Sequence, residues 1–597
     1  MGAAGSLSSA LSRSTSSSSR RHHALLSLLV VAATTFVHVQ AYPSPPRSFI
    51  RRTTTTASAA STSSVSASAS IEEFPTRTCN VLICGGGPVG LAAALSLARR
   101  GYTDIHVVER NPSALYSEVD KSYLYRIDGR GQRLTNQLGI TERMEEVSTK
   151  TSEFLNYTVV LPDGTVEVKS AVVDPNQQTA YWLPRRALLS FLASRIEEEA
   201  RGAITFHFGA SVERLLMPAT REGMRAPGAE ARVRLRFLNG TNADFASRRV
   251  LGCDGMNSKI RTGLAEWAAG EAVAAGEKDA NRFGMRCVDS TSAGLRYKIL
   301  TMLDDFPITL ATSSTNNVTK REISYSYVSK SKPGPGGGFR LGLLPLKMKG
   351  IPRTANIIAK SSAPIFSLST GPEVLDYLRG EFPQCDIDRM VSAEEADRFA
   401  RSRGGLFPRP SYCLETQAVL GGEEGRTTGV DEKRGGIGGG VLLLGDAIHV
   451  FPPDLGAGVN SAFLDVVDLM NSLDRSGDDW GRALPLYEEL RAPQSRAICE
   501  LIPIGFPQQY NQIPVRKSIK LLGVGLRLAL SKVLPWLFSP PVFLMCQDAR
   551  LDFSHVWEKQ KKTARIMNGL SLVIIGAVLQ KLAIIPRIIT LKSRYMP

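Results

Sequence analysis

The sequence predicts an α/β protein, and three observations carry that expectation. In "NVLICGGGPVGLAAALSLARRGYTDIHVVER", Asn80 to Arg110, an apolar run meets three glycines, a helix-like pattern and a second apolar run closing on an acid. "RRVLGCDGMNSKIR" and "GVLLLGDAIHVFPPDLGAGVNSAFLDVVDLMNSL" each begin as an apolar strand, turn at glycine and aspartate, and continue as a helix. Between them, "REISYSYVSK" and "GFRLGLLPLKMKG" read as strands of a separate β-rich region.

The opening stretch has a specific physical reading. Asn80–Cys84 is strand-like, and Leu91–Arg99 carries apolar residues at helical spacing. Gly85-Gly86-Gly87-Pro88-Val89-Gly90 between them contains G-x-G-x-x-G. Gly85 permits the tight turn, Gly87 lets backbone N–H groups approach a pyrophosphate, and Gly90 lets helix and strand pack closely. The helix N-terminus offers partial positive charge to the phosphates. Glu109 ends the next strand about twenty residues on, where a carboxylate meets a ribose hydroxyl. A lone glycine pattern is weak evidence; framed by strand, helix, strand and acid it predicts a Rossmann-like dinucleotide site. It does not choose between NAD and FAD.

The net charge of +16 suggests nucleic acid only until it is located. Residues 1–70 hold six arginines and no lysine or acid, while residues 514–597 hold fourteen Lys/Arg against Asp548, Asp552 and Glu558. The basicity belongs to a leader and a tail, the middle is nearly neutral, and no nucleic-acid partner is expected. The eight cysteines include no C-x-x-C pair and the seven histidines do not cluster, so neither a disulfide framework nor a metal is expected. His449, inside a motif, reads as structural.

Residues 1–70 read as a targeting leader. Arg20 and Arg21 precede an apolar segment from Ala24 to about Val37, and Val39-Gln40-Ala41 supplies a small-residue cleavage site near residue 41. The acid-free, hydroxyl-rich stretch that follows is transit-like. The two together resemble bipartite plastid leaders; a secretory signal or a mitochondrial presequence are the alternatives, and an organelle membrane is expected, plastid favoured, with mitochondrial outer membrane or endomembrane otherwise. The tail "VRKSIKLLGVGLRLALSKVLPWLFSPPVFLMC" alternates basic and apolar residues at helical spacing, as an interfacial helix does. Ile566 to Gln580 is uncharged but shorter than the roughly 20 residues a bilayer span needs. Membrane association is expected, and spanning and lying flat both stay open.

The three glycine-bearing segments, in this order, resemble the fingerprints of single-component FAD-dependent aromatic hydroxylases, the class A flavoprotein monooxygenases. That resemblance implies FAD held by Gly85, Gly87, Pro88, Val89, Gly90, Glu109, Arg130, Arg185, Asp254, Gly255, Gly445, Asp446 and Gly458. Arg186 competes with Arg185. It implies a reaction face shaped by Asn460, Pro453 and Gly456, NADPH as a transient co-substrate, and O2 activated for transfer to an electron-rich ring. Within the class, "KSYLYRIDGRGQRLTNQLGI", "SRAICELIPIGFPQQYNQ" and "LPWLFSPPVFLMC" are similar to the kynurenine 3-monooxygenases.

The chain departs from that pattern where an amino-acid carboxylate is gripped. Asn156 or Tyr157 stands at the family's arginine position, and Ser170 or Ala171 at its tyrosine position. Arg126 or Arg130 is a candidate substitute. A kynurenine-type aromatic substrate is therefore weighed against a membrane-dissolved isoprenoid, a carotenoid or quinone, and against a flavoprotein without turnover. The expected organisation is a flavin domain at 76–155, 181–290 and 440–500, a β-rich substrate domain at 156–180 and 291–439, and C-terminal helices with a membrane anchor at 501–597.

Overall fold

The computed structural model describes residues 74–595, apart from 114–115, 117–122, 152–155, 171–178, 276–280, 313–316, 332–337, 349, 422–437, 506–509 and 511–513. The leader, Ala171 and most of the glycine-rich loop before 440 lie outside the described residues. Two compact units emerge: one contains 73–517 and 541–557, the other 518–540 and 558–597.

The larger unit is built around an eight-stranded sheet. Thr76–Cys84 sits at its centre, parallel to Asn242–Gly252 on one side and Ile105–Glu109 on the other. Ile204–Phe208 and Gly439–Leu443 extend the parallel run outward. Val81, Leu82, Ile83 and Cys84 are all fully buried. That explains their unbroken apolar run: a parallel strand covered on both faces has no solvent side. Helices Pro88–Arg99, Arg185–Glu199, Gly458–Ser476 and Trp480–Leu501 share one core with Val81 and Ile83. On the opposite face, Leu82 and Cys84 pack with the helix Lys259–Ala275 and the strands Ala210–Leu216 and Ala231–Phe237.

A second sheet of seven strands runs from Gly405–Leu406 to Val166–Ser170 and includes both stretches read as strands, Ser324–Val328 and Arg340–Leu343. Helices Gly371–Glu381 and Ala393–Arg401 cover its apolar face around Phe382 and Phe399. The boundary expected at 440 moves, because Gln417–Leu420 pairs antiparallel with Gly439–Leu443 and so belongs to the flavin-type sheet. The region 501–597 also divides. Val542, Met545, Cys546, Phe553 and Val556 share a buried cluster with Ala497, Ile498 and Leu501, so 541–557 is part of the main fold.

In the smaller unit, the buried Arg527 donates to the Ser539 carbonyl at 2.9 Å and to Ser539 Oγ at 2.8 Å, and also bonds Gln560. Around it Leu522, Val533, Trp536, Leu572 and Val573 are exposed. Among the described residues no helix is long and apolar enough to cross a membrane.

Candidate flavin site

The three glycines of the opening turn do different work. Gly85 has φ +115°, and a Cβ there would lie 2.3 Å from the Cys253 carbonyl oxygen. A Cβ on Gly90 would lie 1.8 Å from the Gly85 carbonyl oxygen. Both glycines are demanded by the protein's own backbone. A Cβ on Gly87 would meet nothing within 4 Å. No neighbour in the fold requires that glycine, and the gap it leaves lies at the N-cap of Pro88–Arg99, where orphan N–H groups and the helix dipole favour an anion. Glu109 ends its strand beside this gap; Oε2 accepts from Gly86 N and Oε1 from Asn111 N, each at 2.9 Å. A carboxylate has lone pairs to spare beyond those two, so a ribose hydroxyl can still be met.

The other two segments converge here. Cys253 touches the Gly85 turn, and Asp254 Oδ2 caps the helix Lys259–Ala275 by accepting from Lys259 N at 2.6 Å and Ile260 N at 3.2 Å. Its Oδ1 is buried without a partner, and desolvation raises the carboxyl. Gly255, at φ +81°, borders open space. Gly445, at φ +64°, sits against Val89, whose Cγ2 would be 3.0 Å from an added Cβ. Asp446 is exposed, yet desolvation is the main cause raising its carboxyl, ahead of His449, which lowers it, and Asp465, which raises it. Solvent contact inside a crowd of protein atoms is what a deep cleft produces, and this is the better account of its setting than a free surface.

Arg185 opens the helix Arg185–Glu199, and its N–H donates to the Tyr123 carbonyl at 3.1 Å. The Tyr123 phenol is raised chiefly by Tyr125 and that of Tyr125 by burial; the nearby Arg185 charge opposes both rises and Asp446 adds to them. The two rings meet edge-to-face at 5.4 Å. Arg186 is exposed, whereas Arg185 is partly buried close to Tyr125. The tyrosine pair escaped sequence reasoning. The signal was there in "YLYR", two aromatics on one strand face immediately before the arginine–glycine turn.

Two expectations are corrected. Arg130 is buried and its guanidinium is engaged: it donates to the Cys546 carbonyl, to those of Asp548 and Leu551 at 2.8 Å each, and stacks over Phe553 at 4.5 Å. It staples the segment 541–557 with three of its five N–H donors, a structural role that the sequence did not suggest. Asn460 is fully buried, and its amide accepts from Asp128 N at 3.0 Å and donates to the Arg126 and Gly456 carbonyls at 2.8 and 3.1 Å. It fixes the turn rather than meeting a reactant. Pro453 and Gly456 are exposed, Gly456 at φ +61°, and Gly456 and Gly458 both border open space ahead of the helix Gly458–Ser476. At the expected carboxylate grip, Ser170 Oγ hydrogen-bonds Asn156 Oδ1 at 2.7 Å, a neutral, exposed pair. The Cys84 and Cys253 thiols are pushed well up by burial and are not nucleophiles. Among the described residues no group of three or more His, Cys, Asp or Glu could hold a metal ion.

These features fit FAD: an open cradle at a helix N-terminus, an acid at the next strand end, an orphaned buried carboxylate oxygen and an arginine in the cleft. Residues 78–288 and 437–501 match the FAD binding domain family. The chain is similar to a kynurenine 3-monooxygenase of Salinispora arenicola, 24% identical over 512 residues that make up 83% of this chain and 95% of that one. It is 29% identical to a kynurenine 3-monooxygenase of Anopheles gambiae over 152 residues, 24% of this chain and 29% of the mosquito protein. Among solved structures, the tetrameric form of 2-methyl-3-hydroxypyridine-5-carboxylic acid oxygenase superposes with a TM-score of 0.46 at 16% identity, covering 72% of this chain and 90% of that one. Residues 78–288 and 437–501 thus carry an FAD binding domain, and the fold gathers their three glycine-bearing turns at one place.

Proposed function

We propose that this monooxygenase hydroxylates an aromatic ring in the manner of the kynurenine 3-monooxygenases, with NADPH as a transient reductant. The observation that carries the reading is likeness to a protein of that name along 83% of the chain, the substrate region included. Gly87 and the N-terminus of Pro88–Arg99 would receive the FAD diphosphate together with the planar guanidinium of Arg185, and Glu109 would meet a ribose hydroxyl. Asp446 would meet the sugar-alcohol region, and the turn from Pro453 to Gly458, opening the helix Gly458–Ser476, would favour negative charge developing on the ring. Bound FAD supplies the activated oxygen; the chain's own task is to orient the substrate ring and exclude water.

With Arg130 committed to carbonyls, Arg126 is the candidate grip for an amino-acid head. It lies 3.7 Å from Asp128 and is largely buried. Arg126→Ala is expected to raise the kynurenine KM at least tenfold with FAD still bound, checked by steady-state kinetics alongside flavin absorbance. The neutral Asn156–Ser170 pair supports the second reading, an isoprenoid such as a carotenoid or quinone. The exposed apolar side chains of the smaller unit and the basic tail support docking on a membrane. The leader's composition supports an organelle address, plastid first, testable by fusing residues 1–70 to a fluorescent protein. The deciding experiment is NADPH oxidation by the purified protein with kynurenine, a quinone and a carotenoid in turn, with products identified by mass. Hydroxykynurenine upholds the first reading. Oxygenated isoprenoid alone replaces it, and flavin binding without any product leaves the non-catalytic alternative.

A further inference from the structure

A charged cluster lies beneath the Gly445–Asp446 turn, sealed from solvent. Asp465 is 0% exposed, His449 1% and Arg491 2%. Asp465 Oδ2 accepts from the backbone N–H of Gly445 at 2.7 Å and lies 3.0 Å from His449 Nε2. Arg491 Nε donates to Asp465 Oδ1 at 2.8 Å, and Nη1 reaches Asp468 Oδ2 at 3.3 Å. Arg491 Nη2 also donates to the Ser461 carbonyl at 3.2 Å, tying the cluster to the first turn of Gly458–Ser476. Desolvation alone would raise the Asp465 carboxyl, but His449 and Arg491 overcome it and hold it low.

Such a cluster is a poor device for stability. Desolvating its charges costs about what their attraction returns, and apolar residues of like volume commonly serve the fold as well. What apolar residues cannot do is hold one backbone N–H. Gly445 is in the left-handed region, has no room for a side chain beside Val89, and is pinned through its N–H by Asp465. The next residue is Asp446, which stands in the cleft. We propose that Asp465, His449 and Arg491 are positioning residues, which lock the Gly445–Asp446 turn in the conformation that presents Asp446 to FAD. The inference rests on this cleft being the FAD site.

The test uses the full-length protein, stripped of flavin and titrated with FAD. Asp465→Leu/Arg491→Met removes both charges and the acceptor for Gly445. It should melt near wild type without ligand yet bind FAD at least tenfold more weakly, with an altered visible circular dichroism of bound flavin. Asp465→Asn/Arg491→Met restores an acceptor to Gly445 but not the guanidinium that orients it, and should recover part of the lost affinity and of the wild-type spectrum. His449→Gln removes the ring alone and serves if the first pair fails to fold; its affinity should also fall. Wild-type affinity and spectrum in whichever of the first or third variants folds overturn the proposal. Gly87→Val separates the two layers: if it keeps flavin, the cleft assignment fails, whereas loss of flavin there with unchanged triad variants rejects the triad alone.

Discussion

Gly87 and Gly90 stand three residues apart and make opposite predictions. Gly87→Val is expected to fold, because a Cβ there meets no protein atom, and to purify without yellow colour, because the side chain fills the pyrophosphate gap. Gly90→Val is expected to lose the fold itself, since its Cβ would overlap the Gly85 carbonyl. Absorbance and far-ultraviolet circular dichroism of the two variants check both outcomes. At the far side of the sheet, His207 lies 2.9 Å from His106, which reaches Asp104 at 3.1 Å. Desolvation first, then His106 and Arg77, lowers the His207 pKa to about 4. The folded state thus keeps His207 neutral where the unfolded chain, titrating near 6.5, already binds a proton. That stability is present above the unfolded value and is lost as pH falls through the window from 6.5 to 4. Allowing for the ring's partial exposure, it amounts to about 1–2 kcal/mol. His207→Gln should flatten this part of the stability–pH curve, measured by urea unfolding.

Among elements, local strand and helix patterns were legible where the chain's own periodicity decides them. Asn80–Cys84, the helix after Gly87 and the strand ending at Glu109 all show their identity within thirty residues. So did the alternating Ser324–Val328. Arg130 was misread for the opposite reason. Its acceptors lie at Cys546, Asp548 and Leu551, so no local pattern distinguishes a guanidinium bound for carbonyls from one bound for phosphate. Asn460 was assigned to the reaction face because its motif neighbours are there, but its amide is consumed by backbone of the strand Leu124–Ile127 and the turn after it. Arg130→Met should therefore cost about 3 kcal/mol of stability through its lost charged hydrogen bonds, with no selective effect on substrate KM. The same geometry separates two truncations. Deleting from 514 removes 541–557 along with the tail and is expected to abolish flavin binding. Deleting from 558 keeps every segment of the larger unit and is expected to retain yellow protein while weakening sedimentation with vesicles of anionic lipid.

Over the whole molecule, the sequence already held the α/β class and the discontinuous nucleotide domain, because three separated segments each carried strand, turn and helix. It did not hold the edge of the sheet: Gln417–Leu420 joins the first domain across a glycine-rich loop whose composition says only that it is a loop. Nor did it hold the division of the tail, since apolar spacing reads the same whether a helix is covered by protein or by lipid. The Arg130 staple closes over 416 residues of chain. On a ribosome, everything the guanidinium grips is made after nine-tenths of the protein has emerged. Until then a cation destined for the interior has only water to satisfy it, and the turn that Asn460 clamps lacks its outer support. The main fold can therefore be completed only when synthesis is almost finished, and a chain cut short before residue 546 leaves this cation without its carbonyls.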